Sequence, residues 1–407
     1  MTRVIDYVDP VAGYTGHLVY DLDQCRLAVG GCRAQPAVTA GMLAELASRM
    51  TLKQRVLGVG ADGAKCGIAL DPHAPDSAAA IARFVAFLRD ELQHRFSMGC
   101  DMGTRFDALE LAAQAAGVSS IKYAVKQAQR LTEDEFQSRI LVLDQQVGLR
   151  TVSQRRAGHA LAHSAIAVGR FLGLPVRGLH CGLQGFGNLG RSAAESLIDA
   201  GALVTAVADE GGCATHPRGL DIGRMLSLPP QRPVLSMLAT PLRLPSQALF
   251  DLPVDVLILA AGEDALTAEQ AAVLPAQAVV VGANCGLSPT VERLLVDRGV
   301  LVVPDFIGGI GGSASMEALF GPPETPSPAA VLDTVAQLIH ELLGDVLSGA
   351  RDRGVSPATI GQDIAAAAVV DPDRPPYGFS PYVRRSRTPQ GNRAAVARPI
   401  IKPQGER

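Results

Sequence analysis

Apolar residues recur along this chain at two spacings, and the spacing changes from segment to segment. Short apolar runs bounded by polar turns, His17-Leu-Val-Tyr20 and Cys25-Arg-Leu-Ala-Val29, predict strands of an N-terminal α/β unit. Val38, Met42, Leu43, Leu46 and Met50 then fall on one face of a helix over 36–52. Ala80, Ile81, Phe84, Val85, Phe87 and Leu88 do the same over 76–95, and another helix is predicted from Phe106 to Ala116. Between these helices lie a glycine-rich segment over 60–72 and a loop at Asp101-Met-Gly-Thr104. Residues 133–148 are polar and predict no definite element.

The second half has a different rhythm. A long helix over 157–172 leads through Gly173-Leu-Pro-Val-Arg-Gly178 into strands at 182–184, 203–208, 254–259, 278–281 and 300–304. Strands alternating with helices of this length predict a parallel, doubly wound sheet. Helices over 329–350 and 356–369 follow. From Asp371 the chain is rich in Pro and Arg, a composition that cannot bury a core, so a disordered basic tail is expected over 371–407. The fold class expected is α/β: an N-terminal α/β unit over 1–150, a Rossmann-type dinucleotide domain over 151–325, and C-terminal helices over 326–370. No internal repeat is apparent.

Composition narrows the function. A chain of 407 residues has room for two sizeable cores. A net charge of -3 gives no reason to expect nucleic acid or an anionic membrane as partner. No apolar run reaches the roughly 18–20 residues of a membrane span, and the acidic N-terminus does not read as a signal peptide. The seven cysteines are scattered without metal-site spacing, which predicts reduced thiols, no metal and the cytoplasm. His159 and His163 form an i, i+4 pair, but nothing around them argues for metal binding.

Two motifs carry chemistry. Gly185, Phe186, Gly187, Asn188, Leu189 and Gly190 follow a predicted strand and open a helix, the setting in which G-x-G-x-x-G binds a dinucleotide. Here the first glycine permits the turn, the second admits the pyrophosphate and the third allows close packing. Asp209, at the end of the next strand, suits a ribose 2′-hydroxyl and disfavours a 2′-phosphate, so NAD is the cofactor expected. Glu210 leaves the choice of carboxylate open. The second signal is lysine, which occurs only at 53, 65, 122, 126 and 402. Two of these lie twelve residues apart near the glycine-rich segment. A lysine, unlike an arginine, can be pulled toward neutrality and act as acid or base.

Taken in order, these segments resemble the glutamate/leucine/phenylalanine/valine dehydrogenase superfamily over about residues 28–320. Ala28-Val-Gly-Gly-Cys-Arg33, Met50-Thr-Leu-Lys53, Gly63-Ala-Lys65, Asp101-Met-Gly-Thr104, Gly282-Ala-Asn284 and the segment from Pro304 to Gly311-Gly312 are each similar to a family motif. The resemblance implies reversible oxidative deamination of an L-amino acid to a 2-oxo acid, ammonia and NADH, in a cleft between a substrate domain and a cofactor domain. It implies Lys53 as a fixed charge for the α-carboxylate. Lys65 would be an amine kept partly neutral by burial and by Lys53, and Asp101 would move protons at the amino nitrogen. It further implies Gly30, Gly31 and Arg33 at the substrate, though Arg33 suits structural pairing equally well. Ala260, Ala261 and Asn284 would lie at the cofactor, and a homo-oligomer would assemble through the first domain.

Departures from the family pattern bear on the substrate. Glutamate-specific members have a lysine where this chain has Val29, and a serine where it has Met316. A carboxylate buried against Val and Met would cost several kcal/mol. An apolar, even unusual, amino acid is therefore expected. NAD-dependent glutamate dehydrogenase and a catalytically weak NAD-binding sensor or scaffold remain the alternatives. Gly309, in place of an asparagine, and Ala157, in place of a threonine, are further departures. Cys32, Cys66 and Cys100 adjoin the presumed site and read as small packing residues.

Overall fold

The chain builds two sheets in succession. The computed structural model describes residues 2–229, 233–237 and 244–383. The first sheet consists of β1 (Arg3–Val8), β2 (Thr15–Tyr20), β3 (Ala28–Ala34), β4 (Asp62–Ile68) and β5 (Phe96–Cys100), ordered β1-β2-β4-β3-β5. β4, β3 and β5 are parallel, and β2 is antiparallel to β1 and β4. Helix α1 (Ala40–Val56) covers one face, with Leu43 packed on Val19. Helices α2 (Ser77–Phe87), α3 (Arg89–His94) and α4 (Phe106–Ala115) bury Phe84, Leu92 and Leu109 against the other. α5 (Tyr123–Gln129) and α6 (Glu133–Asp144) complete this part.

Several expectations shift here. The predicted strand at 25–29 forms over Ala28–Ala34, and β1 was not anticipated. The polar stretch from 133 is helical because Thr132 and Glu135 form a reciprocal capping box and Phe136, Ile140 and Leu143 share a buried face. The glycine-rich segment around Lys65 is the central strand β4, buried at every residue. Its glycines mark close contact with a helix: a methyl group on Gly63 would lie 2.0 Å from the Ala47 carbonyl oxygen of α1.

A short hairpin, β6 (Gln146–Val147) and β7 (Arg150–Thr151), precedes α7 (Val152–Phe171). The second sheet then follows the predicted alternation: β8 (His180–Gln184), α8 (Asn188–Asp199), β9 (Leu203–Asp209), β10 (Gly212–Thr215), α9 (Ile222–Ser227), α10 (Val234–Met237), β11 (Val256–Leu259), α11 (Ala268–Val273), β12 (Ala278–Val281), α12 (Pro289–Asp297) and β13 (Leu301–Val303). The order is β10-β9-β8-β11-β12-β13, parallel except for β10. Strand order reverses between β8 and β11, which is where a doubly wound sheet binds its ligand. The short α13 (Asp305–Gly308), α14 (Gly311–Phe320), α15 (Pro328–Arg353) and α16 (Pro357–Ala366) close the fold. The architecture is the mixed α/β one expected.

The C-terminal expectation needs correcting at its boundary. Residues 371–383 are packed, with Tyr377 1% exposed against Phe320. Gly60 N–H donates to Pro376 O at 3.1 Å, and Gly378 N–H donates to Glu317 at 3.0 Å. Composition missed this because two aromatic residues, Tyr377 and Tyr382, suffice to anchor a short Pro-rich segment that supplies no core of its own. The rest of the expected tail, from residue 384, lies outside the described residues.

Candidate active site between the two sheets

Strand β3 and its neighbours bring the sequence-predicted residues together. A methyl group on Gly31 would lie 3.2 Å from Lys65 Nζ and 3.1 Å from Asp101 Cβ, so the missing side chain leaves this face of the sheet to a lysine and a carboxylate. Lys65, 3% exposed, is ion-paired with Asp101 at 2.5 Å. Arg33, also buried, donates through Nε to the same Oδ2 at 2.9 Å and through Nη1 to Glu263 at 3.0 Å. Burial pushes the Asp101 carboxyl up, but Lys65 and Arg33 outweigh it and hold the group at about 2. With both cations in place Asp101 is held as the carboxylate. Thr104 fixes the loop by accepting from Asp101 N–H at 3.0 Å and donating to Cys32 O at 2.7 Å.

Lys53 comes from the last turns of α1 and crosses the cleft. It donates to Asn284 Oδ1 at 2.8 Å and to Gly309 O at 3.1 Å. Burial pulls its amine down to about 8; Asp305 opposes this and Lys65 adds to it. The lysine expected as the fixed charge is thus one that burial tunes. Gly309 has a local reason, since a methyl group there would sit 3.2 Å from Lys53 Nζ and 2.6 Å from Gly282 O. Asn284, expected at the cofactor, is held by Lys53. Three more contacts join the sheets: Arg49 donates to both Asp305 oxygens at 2.9 and 3.0 Å, Gln54 donates to Ser313 Oγ at 2.6 Å, and Arg33 reaches Glu263. The cleft is therefore drawn shut, and a cavity of about 690 Å³ lies behind it, against Leu52, Arg55 and Ala365.

At the reversal point of the second sheet the glycine turn fits a dinucleotide. Gly185 has φ +96°, a left-handed conformation open to glycine, and a methyl group on it would lie 2.9 Å from Ala261 Cβ. A methyl group on Gly187 would meet nothing within 4 Å, leaving open space for phosphate. One on Gly190 would lie 2.0 Å from Gly185 O. No side chain caps the N-terminus of α8, so the amides of Asn188, Leu189 and Gly190 suit an anion there. Phe186 departs from expectation: its ring is buried beneath the Arg191 guanidinium at 5.6 Å, so its side chain serves packing. Ala260 and Ala261 border the turn. Asp209 ends β9, and its carboxylate accepts from Gly211 N–H at 2.7 Å and Leu235 N–H at 3.1 Å, each oxygen keeping a lone pair for a ribose hydroxyl.

Other residues answer questions the sequence left open. His159 lies between Ser196 Oγ and Leu332 O, while His163 pairs with His340 at 3.0 Å. Cys32 and Cys66 are buried neighbours on β3 and β4, whereas Cys100 is exposed; all three are free thiols. Val29 and Met316 lie in one apolar cluster, but charge comes close to it. Arg156, 8% exposed, reaches Met316 Sδ at 3.6 Å, and Lys122, 6% exposed, lies over Gly99 of β5, the strand paired with β3. Sequence reasoning did not place them in the site, although Lys122 was one of only five lysines and Arg156 directly precedes the departure at Ala157.

A two-sheet α/β molecule with a lysine–aspartate pair facing a glycine-rich dinucleotide turn is a dehydrogenase scaffold. Residues 11–116 match the model of the Glu/Leu/Phe/Val dehydrogenase dimerisation domain, and residues 153–319 match that of the Glutamate/Leucine/Phenylalanine/Valine dehydrogenase family. The chain belongs to this family. Glutamate dehydrogenase B of Halobacterium salinarum is 30% identical over 290 residues, 70% of this chain and 64% of that protein. Glutamate dehydrogenase of Aeropyrum pernix is 26% identical over 70% of this chain and 66% of its own length. The chain thus spans just under two-thirds of the length of these curated relatives. The Thermus thermophilus hetero-hexameric glutamate dehydrogenase, in its Leu-bound form, superposes with a TM-score of 0.72 at 27% identity, covering 90% of this chain and 87% of that one. L-Tryptophan dehydrogenase of Nostoc punctiforme shares the fold, with a TM-score of 0.57 at 18% identity over 90% and 95% of the two chains.

Proposed function

We propose that this chain catalyses the NAD-dependent, reversible oxidative deamination of an L-amino acid to its 2-oxo acid and ammonia. The observation that carries this reading is the buried Lys65–Asp101 pair on the sheet face left bare by Gly31. Lys53 would bind the α-carboxylate, exchanging Asn284 and Gly309 O for the substrate. Lys65 would donate to the oxygen of the carbinolamine or ketone. Asp101, loosened from Arg33, would accept a proton from the substrate amine and return it to leaving ammonia. Closure of the cleft excludes water from these groups. Bound along the Gly185–Gly190 turn, NAD would supply the hydride acceptor. Relatives named as NAD-specific glutamate dehydrogenases support NAD, as does the acid at Asp209.

The expectation of an apolar substrate rested on Val29 and Met316 offering no partner to a carboxylate. Arg156 beside Met316 is a charge that this expectation did not include. A homo-oligomer is part of the proposal, supported by the dimerisation-domain match and by exposed Val8 and Val11 at the open β1 edge of the first sheet. The test is NADH formation by purified protein given NAD and a panel of L-amino acids. Turnover with at least one of them, lost in Lys65→Ala while NAD still binds, is the expected result. NAD binding with no turnover on any amino acid would favour a sensor of the same fold.

A further inference from the structure

The reaction proposed above uses Lys53, Lys65 and Asp101 but leaves two buried cations without a task. Lys122 follows the backbone contact of Met98 N–H with Ile121 O (2.9 Å), and its side chain crosses the end of β5. A methyl group on Gly99 would lie 3.7 Å from Lys122 Nζ. That amine has no hydrogen bond and no ion pair among the described residues. Glu110 is a carboxylate whose charge reaches it, but Glu110 is engaged by the Ser120 hydroxyl at 2.8 Å and the Ile121 amide at 3.4 Å. Arg156 enters from the first turns of α7. Its Nη1 meets Ser315 Oγ at 3.1 Å and Met316 Sδ at 3.6 Å, and no carboxylate pairs with it among the described residues.

Two desolvated cations whose charges reach each other repel and lose hydration, a cost that an anion bound between them would offset. Burial, together with the charge of Arg156, pulls the Lys122 amine down to about 7, consistent with an absent counter-charge. The register places this pair relative to the chemistry. Gly31, beneath Lys65, is the Cα partner of Gly99, beneath Lys122, so the two amines stand over adjacent strands roughly 5 Å apart. Val29 and Ser97, two residues back along each strand, face the same side. The Ser97 hydroxyl is buried without a partner among the described residues, a further polar group on this face of the sheet. Gly99 and Cys100 are the more exposed end of β5, so this end of the strand is the accessible one.

We infer that Lys122 and Arg156 form the side-chain pocket of the substrate and bind a distal carboxylate there. The substrate is a short L-amino dicarboxylic acid, its second carboxylate two or three carbons from Cα. The charge that Val29 cannot provide from β3 comes instead from the start of α5 and from α7. Lys122 belongs to the first sheet's unit and Arg156 to the second's, so the pocket is complete only when the cleft is closed.

This inference deepens the dehydrogenase reading, and its test separates the two. NADH formation is measured with L-aspartate, L-glutamate and L-2-aminoadipate against L-norvaline and L-leucine, and glutarate binding to the NADH-loaded protein is followed by calorimetry. The expected result is preference for one of the acids. Lys122→Met and Arg156→Met should each raise its KM about 10- to 100-fold, as loss of a charge-assisted contact does. They should also weaken glutarate binding and improve relative use of L-norvaline, and Lys122→Arg should recover part of the loss. Wild-type preference for L-leucine or L-norvaline overturns the inference. So does an unchanged KM for the acid in both methionine variants. If no amino acid is oxidised, the dehydrogenase reading fails. Glutarate binding that depends on Lys122 then upholds the pocket, and its absence overturns it.

Discussion

At the scale of single residues, the site is defined by how each charge is shared. Asp101 is claimed by both Lys65 and Arg33, whereas Lys53 is held by neutral oxygens alone. Lys65→Ala removes the group placed to donate at the reacting oxygen, and kcat should fall by about 10²–10⁴. Titration gives a second prediction. Because the Lys53 amine is pulled down to about 8, its positive charge is present below that pH and lost above it. In reductive amination with saturating ammonia, the KM for a 2-oxo acid with an uncharged side chain should therefore rise above pH 8. Lys53→Arg, which stays charged, should flatten the rise. Lys53, Lys65 and Asp101 were legible in the sequence because each lies in a local motif. Lys122 was not, since its place depends on Ile121 pairing with Met98 across more than twenty positions of chain. Its rarity was the available signal: the scarcity that singled out Lys53 and Lys65 applied equally to it.

At the scale of elements, glycine placement decides how closely backbones approach. The strand–turn–helix from β8 to α8 was readable because each glycine has a distinct task, and the third is the least replaceable. Gly190→Ala would press a methyl group to within 2.0 Å of Gly185 O. Loss of NAD affinity and a lower melting temperature are expected, measurable by fluorescence titration and thermal unfolding. β4 was less legible for the converse reason. Gly63 and Gly67 weaken any strand signature, yet they are what lets α1 lie against the sheet, with Thr51 Oγ1 accepting from Gly63 N–H at 2.9 Å. Buried polar residues of α1 obscured it further: Thr51, Lys53, Gln54 and Arg55 look like a solvated helix face until the second sheet and Asp62 are set against them.

At the scale of the whole molecule, one apolar cluster runs from Leu27, Val29 and Val56 through α7 to Leu338 and Tyr377. The two sheets therefore share a continuous core beside the cleft. Tyr377→Ala should cost about 3–5 kcal/mol by emptying its place against Phe320, measurable by denaturant unfolding. The alternation of strands and helices made the second sheet legible at this scale. It could not show that the chain past Asp371 returns to the body, since that depends on distant partners.

That return ties the two halves together. Gln129 bonds Tyr377 through both its amide groups and Gly60 N–H reaches Pro376, all on the first sheet's side; Glu317, on α14, holds Gly378 and Ser380. Residues 376–380 thus form a short leash between the first sheet's unit and α14, fastened at both ends. Separation of the two sheets at the cleft would draw on this segment, so its anchors at either end would limit how far they part.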